Sequence, residues 1–179
     1  MAILVTYASK HGATQGIAER IAEKLRLLGK QVEVQPIKAV RTVGAYEAIV
    51  IGAAAYYGSW MKEASEFVRS NRESLASRPV WMFSSGPVGE GEVDEKGQDK
   101  RKVAAPKEFA EFSAAIRPRE QQVFFGVVNR SKMGFAERMF ANLPAGRTLL
   151  PEGDFRDWPE IDAWAERIAA ALTPAPSAP

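Results

Sequence analysis

Five short apolar runs, each followed by a stretch with helical periodicity or a charged loop, constrain this chain more than any other feature of its sequence. Ile3 to Tyr7 gives way, after a polar loop, to Ile17, Ile21, Leu25 and Leu28 at the spacing of one helix face, and Gly29 marks the stop. Val32-Glu33-Val34 alternates as a strand near a sheet edge does, whereas Ala48 to Ala53 is apolar throughout and suits a strand covered on both faces. Between them, residues 37 to 46 predict at most a short, poor helix. Ser59 is placed to cap a helix carrying Met61, Ala64, Phe67, Val68 and Leu75 inward, and Pro79 introduces Val80 to Phe83 as a fourth strand. Residues 85 to 105 read as a glycine-rich, charged connection. Pro106 opens a helix with Phe109, Phe112 and Ile116 on one stripe, and Val123 to Val128 is the fifth strand.

The remainder follows the same grammar. Residues 129 to 156 are irregular, with an amphipathic turn or two between Met133 and Leu143. Asp157-Trp158-Pro159-Glu160 then forms an acidic capping box with proline in the first turn, opening a helix that buries Ile161, Trp164, Ile168 and Leu172. One α/β domain over residues 1–172 is expected, a doubly wound parallel sheet of five strands with helices on both faces, because right-handed crossovers deliver helices to either side. Pro174, Pro176 and Pro179 predict a disordered tail over 173–179.

Composition narrows function by exclusion. Lys and Arg number 24 against 22 Asp and Glu, a net charge of +2, so there is no polycationic surface for nucleic acid. Cysteine is absent, which removes disulfides, iron-sulfur clusters, thiolate zinc sites and cysteine nucleophiles. A single histidine argues against His-rich metal sites and most Ser-His triads, so no metal is expected and an enzyme of this composition borrows its reactive group. No apolar run approaches the roughly 18 residues of a membrane span, and the N-terminus lacks the basic flank of a signal peptide; a cytoplasmic protein is expected.

In doubly wound sheets, ligands bind beyond the carboxyl ends of the strands where the strand order reverses, which points to the loops after strands one, three, four and five, the first three of which carry readable chemistry. The first, Ser9-Lys10-His11-Gly12-Ala13-Thr14, sets two hydroxyls around a run of amides at a helix N-terminus, an arrangement that binds phosphate through amide donors and the helix dipole. It lacks the Gly-Lys-Ser/Thr ending of a P-loop and the three spaced glycines of a dinucleotide fingerprint, which leaves a phosphomonoester. Plain helix capping by Ser9 and Thr14 accounts for the same residues. His11 is expected to contribute its amide rather than its imidazole. The second loop, Ala54-Ala55-Tyr56-Tyr57-Gly58-Ser59-Trp60, combines small residues that admit a flat ligand with aromatic faces that stack on it, although Tyr56 or Trp60 covering the core is the alternative. The third, Ser84-Ser85-Gly86-Pro87-Val88-Gly89, offers donors and acceptors to the polar edge of a heterocycle.

With these residues in view, the chain resembles the flavodoxin-like FMN proteins. Within them it is similar to the menaquinone-dependent protoporphyrinogen dehydrogenase branch, on Ser9 to Thr14, Ile49-Val50-Ile51-Gly52-Ala53 followed by Tyr57-Gly58, Glu137-Arg138-Met139-Phe140, and Asp157-Trp158. The resemblance implies the flavodoxin strand order 2-1-3-4-5 and FMN as cofactor. It implies that Ser9, Lys10, His11, Gly12, Ala13 and Thr14 hold the phosphate, and that Ala54, Ala55, Tyr56, Tyr57, Gly58 and Trp60 with Ser84, Ser85, Gly86, Pro87, Val88 and Gly89 hold the isoalloxazine. It further implies an oxidoreductase acting on protoporphyrinogen IX with a quinone or a redox protein as partner, and peripheral membrane contact through 130–143. In the branch a basic, apolar segment after the fifth strand meets membrane and quinone; here Arg130, Lys132 and Arg138 with Met133, Phe135, Met139 and Phe140 sketch it, and Pro144 ends it early. The competing expectations are a flavodoxin-type electron carrier, against whose usual acidic face the +2 charge argues, and a non-catalytic domain without flavin that docks through the charged stretch Glu90 to Lys102.

Overall fold

The structure, a computed structural model, describes residues 2–144, 146 and 150–173. In chain order its strands are β1 (Ala2–Ala8), β2 (Val32–Pro36), β3 (Tyr46–Tyr56), β4 (Ser59–Trp60), β5 (Val80–Ser85), β6 (Glu120–Phe124), β7 (Val127–Val128) and β8 (Gly153–Asp154). The helices are α1 (Ala13–Leu27), α2 (Lys62–Ser70), α3 (Arg72–Ala76), α4 (Lys100–Ala104), α5 (Glu108–Ile116), α6 (Phe135–Asn142) and α7 (Trp158–Ala171). Five strands pair in parallel in the order β2-β1-β3-β5-β6, which is the expected 2-1-3-4-5 arrangement.

Alternation along the strands divides the core into two layers. Ile3, Val5, Val50, Trp81, Phe83 and Phe124 pack beneath α1 and α7, while Leu4, Ile49, Ile51, Val80, Met82 and Val123 pack beneath α2, α3 and α5. Both layers include residues from β1, β3 and β5, so the uniformly apolar strand sequences follow from burial on both faces. Gly52 has a packing reason of its own: a Cβ there would overlap the ring of Phe83, which lies 5.9 Å from both Phe124 and Trp164 in one aromatic cluster. The last helix begins as its sequence predicts, with the Asp157 side chain accepting the Glu160 amide at 3.0 Å.

Several boundaries differ from expectation. Ser59 does not cap a helix; it lies in β4, which turns back antiparallel onto β3, and α2 starts after Met61 with no side-chain cap. The expected single helix to Leu75 breaks at Asn71, whose side-chain amide takes the Phe67 carbonyl at 2.9 Å and competes with helix continuation. Leu28 ends α1 half exposed instead of facing inward. The fifth strand starts earlier and stops at Phe124, because the Gly126 amide donates to the Pro87 carbonyl and the Gly126 carbonyl accepts from Phe155; Val127–Val128 pairs with β8 in a separate small sheet. The charged connection is partly ordered by α4, which Asp99 caps and Arg101 anchors over the Phe125 ring at 4.7 Å between Glu92 and Glu160. Thr173 closes α7 through the Ala169 carbonyl, and the rest of the expected disordered tail lies outside the described residues.

Candidate functional site

Parallel pairing brings the ends of β1, β3 and β5 to one edge, and the three loops singled out above leave from it. The first turns on Gly12, whose left-handed conformation (φ 89°) lets the chain pass from strand to helix. Gly12 is the N-cap of α1, and no side chain caps the helix there. The hydroxyl of Ser9 instead accepts the Gly12 amide at 3.0 Å, and the fully buried Thr14 hydroxyl shares a hydrogen bond of 2.7 Å with Ser85. Neither hydroxyl belongs to the N-cap residue: Ser9 closes the turn onto the Gly12 amide, and Thr14 bonds Ser85. Among the described residues no acceptor is bonded to the amides of Ala13, Thr14 and Gln15, so the positive end of the helix keeps its donors available.

The Thr14–Ser85 bond ties the first loop to the third. In that third loop Ser84 and Ser85 are buried, the Ser84 hydroxyl has no partner among the described residues, the Gly86 amide is held by Phe124, and Pro87 is buried with its carbonyl held by Gly126. Val88 and Gly89 are half-buried, and a Cβ on Gly89 would meet Pro151 at 3.4 Å and the Lys100 ammonium at 3.6 Å.

The second loop is a two-residue hairpin between β3 and β4. Tyr57 (φ 51°) and Gly58 (φ 73°) both take positive φ, which matches a turn whose twist suits antiparallel strands and costs Tyr57 strain that glycine escapes. Tyr57 is fully exposed and Tyr56 partly so, whereas Ala54 and Ala55 lie at the strand end. Trp60 takes the core-covering alternative: it is 3% exposed and packs against Phe109 and Phe112 at 5.5 and 6.0 Å, while its amide donates to Glu108. Of the three aromatics, Trp60 covers the core and Tyr56 and Tyr57 face outward.

Sequence reasoning gave residues 130–143 only a sketched role, and the structure folds them over the first loop. Glu137 receives the amide of Gly134, the capping glutamate of α6, and also binds the Lys10 ammonium and lies 3.3 Å from His11 Nε2. His11 Nδ1 is 2.9 Å from the Lys132 carbonyl. The Lys10 contact holds the Glu137 carboxyl below the usual carboxylate range against the opposing effect of its partial burial, and it raises Lys10 in turn. Burial raises the Tyr56 phenol, with Lys10 and Glu137 both close enough to act on it. Lys132 itself reaches the turn, its ammonium 3.5 Å from where a Cβ on Gly12 would stand. A capping-glutamate spacing, Gly134 to Glu137, was the available signal, but its partners are more than 120 residues away in sequence.

The family model of the flavodoxin domain matches residues 4–145. The chain belongs to the flavodoxin domain family. Among curated proteins it is similar to protoporphyrinogen IX dehydrogenase (quinone) of Escherichia coli strain K12, 25% identical over 178 residues that cover 94% of this chain and 95% of the relative. Among solved structures it superposes on a flavodoxin from the domain Archaea (TM-score 0.59, 17% identity, covering 96% and 98% of the two chains). The flavodoxin of Streptococcus pneumonia TIGR4 matches with a TM-score of 0.56 at 17% identity, covering 96% and 100%. FMN is the cofactor of this flavodoxin-domain protein. The residues present fit that group: an uncapped helix N-terminus suits its phosphate, and an exposed tyrosine on a fixed hairpin suits its flat ring.

Proposed function

We propose that this chain is an FMN-dependent oxidoreductase that oxidises protoporphyrinogen IX and passes the electrons to a quinone. The observation that carries the specific reading is the end-to-end likeness to the quinone-dependent protoporphyrinogen IX dehydrogenase, at 25% identity over 94% of the chain. On this reading the Ser9 hydroxyl, the amides of Lys10, His11, Ala13 and Thr14 and the α1 dipole hold the phosphate, with the Gly12 amide committed to Ser9. The loop from Ala54 to Gly58 and the loop from Ser84 to Gly89 hold the isoalloxazine, with Tyr57 stacking on it. Trp60 supports the hairpin from within the core instead of touching the ring. Bound FMN supplies hydride and single-electron transfer, which the side chains of this protein do not. What the side chains do is orient: Thr14 and Ser85 lock two loops together, and Tyr57 presents an accessible ring from a tight turn.

Phe135 and Met139 on α6 and Leu143 just beyond its end are exposed at 83, 61 and 54%, with Lys132 and Arg138 in the same segment. Its apolar and basic character supports peripheral contact of residues 130–143 with a membrane surface, where a lipid-soluble quinone resides. No helix among the described residues is long and apolar enough to cross a membrane.

The test is a visible-absorbance titration with FMN, followed by protoporphyrinogen oxidation with and without a menaquinone analogue. A flavin band and quinone-dependent oxidation are the expected results. Flavin binding without porphyrinogen oxidation identifies an electron carrier, and failure to bind flavin overturns the reading altogether.

A further inference from the structure

Two lysines reach the β1–α1 turn, and they differ in what they hold. Lys10, inside the turn, is bound to Glu137, so its charge is already matched by a carboxylate. Lys132 arrives from the segment that covers the turn, with its ammonium 3.5 Å from the Cβ position of Gly12, and no hydrogen bond or ion pair engages it among the described residues. Its own backbone is fixed in place: the Lys132 carbonyl meets His11 Nδ1, its amide donates to the Asn129 carbonyl, and the Asn129 side chain caps that turn through Ser131. An ammonium without an ion-pair partner among the described residues therefore stands beside a helix N-terminus whose first amides lack acceptors.

We propose that Lys132 is a specificity-determining residue for the cofactor phosphate, contributed in trans along the chain by the covering segment. Resting on the reading that this turn takes the FMN phosphate, the inference assigns Lys132, and not the nearer Lys10, as the counter-charge to the dianion. An ammonium on a flexible stem suits a phosphate monoester as a point charge, and the same contact couples cofactor binding to the docking of residues 130–143 on the turn. The protein thus distinguishes FMN from riboflavin through a residue outside its phosphate loop.

Flavin affinity decides this, measured by fluorescence quenching with FMN and riboflavin on the full chain. Lys132→Met is expected to weaken FMN about tenfold, which is about 1.4 kcal/mol, and to leave riboflavin unchanged. Lys132→Glu is expected to weaken FMN further, and Lys132→Arg to restore most of the affinity. Added salt lowers FMN affinity of the native protein more than that of Lys132→Met. A ratio of FMN to riboflavin affinity that is the same in native and Lys132→Met overturns the inference while leaving flavin binding intact. Native protein that binds neither flavin overturns the proposed function and the inference with it. Because Lys132 is exposed, a thermal melt of each variant confirms that folding is unchanged.

Discussion

The β1–α1 turn and the β3–β4 hairpin leave neighbouring strands of one sheet, yet one is covered and the other is bare. Glu137, His11 and Lys132 draw residues 130–143 over the first, while Tyr57 stands fully exposed on the second. The first is held by polar contacts between segments far apart in sequence. The second is a tight turn with positive φ at two residues, anchored from below by Trp60 against Phe109 and Phe112 and by the Glu108 carboxylate on the Trp60 amide. On the proposed reading, the phosphate gains from the charges gathered at the first loop and the flat ring from an accessible aromatic face on the second.

That difference can be broken at its base. Phe83→Ala removes the ring that fills the space over Gly52 and supports Phe124 and Trp164, and it is expected to cost about 3–5 kcal/mol in chemical denaturation. Both loops then lose flavin affinity together, because the sheet edge that aligns them is gone; selective loss at one loop would show that the loops are independent of this cluster. Next in size is Thr14→Val, which keeps the shape but leaves the buried Ser85 hydroxyl unpaired, costing about 1–3 kcal/mol. Unchanged stability in that variant would show that the Thr14–Ser85 bond does not join the first and third loops.

A smaller effect of opposite sign is expected at the hairpin. Tyr57→Asn places asparagine before Gly58, the pair that two-residue turns of this kind favour, and should raise stability by about 0.5–1 kcal/mol while weakening FMN severalfold. A variant that gains stability and keeps full flavin affinity would remove Tyr57 from the ring contact. The smallest effect concerns the cover. Glu137 has its folded-state carboxyl lowered by the Lys10 contact, so its contribution is present above the unfolded value of about 4.3 and is lost as pH falls through the lower folded value. Protection factors for the amides of residues 130–143, corrected for the intrinsic exchange rate at each pH, should therefore fall in acid below about pH 4, and Glu137→Gln should show that lower protection already at neutral pH. No change in either would detach the cover from this ion pair.

Much of the architecture was legible in the residues. Apolar runs at Ile3, Ala48, Val80 and Val123 located the long strands, and Asp157 with Glu160 located the start of α7. The failures share one cause. Trp60 and Ser59 belong to a strand only two residues long, formed because the Tyr57-Gly58 turn brings the chain back along β3, and no periodicity announces so short an element. Phe125 and Gly126 continue an apolar run but leave the sheet because Pro87 and Phe155 take the Gly126 backbone.

By itself, then, the sequence determined which stretches are strands or helices and which loops stand at the functional edge, because side-chain periodicity reports burial one element at a time. Tertiary structure alone decided that Trp60 faces inward and Tyr57 outward, that Glu137 occupies Lys10, and that the Lys132 ammonium comes beside Gly12. Those outcomes depend on distances between segments separated by up to 127 residues, which local preference does not encode and only the packed sheet fixes.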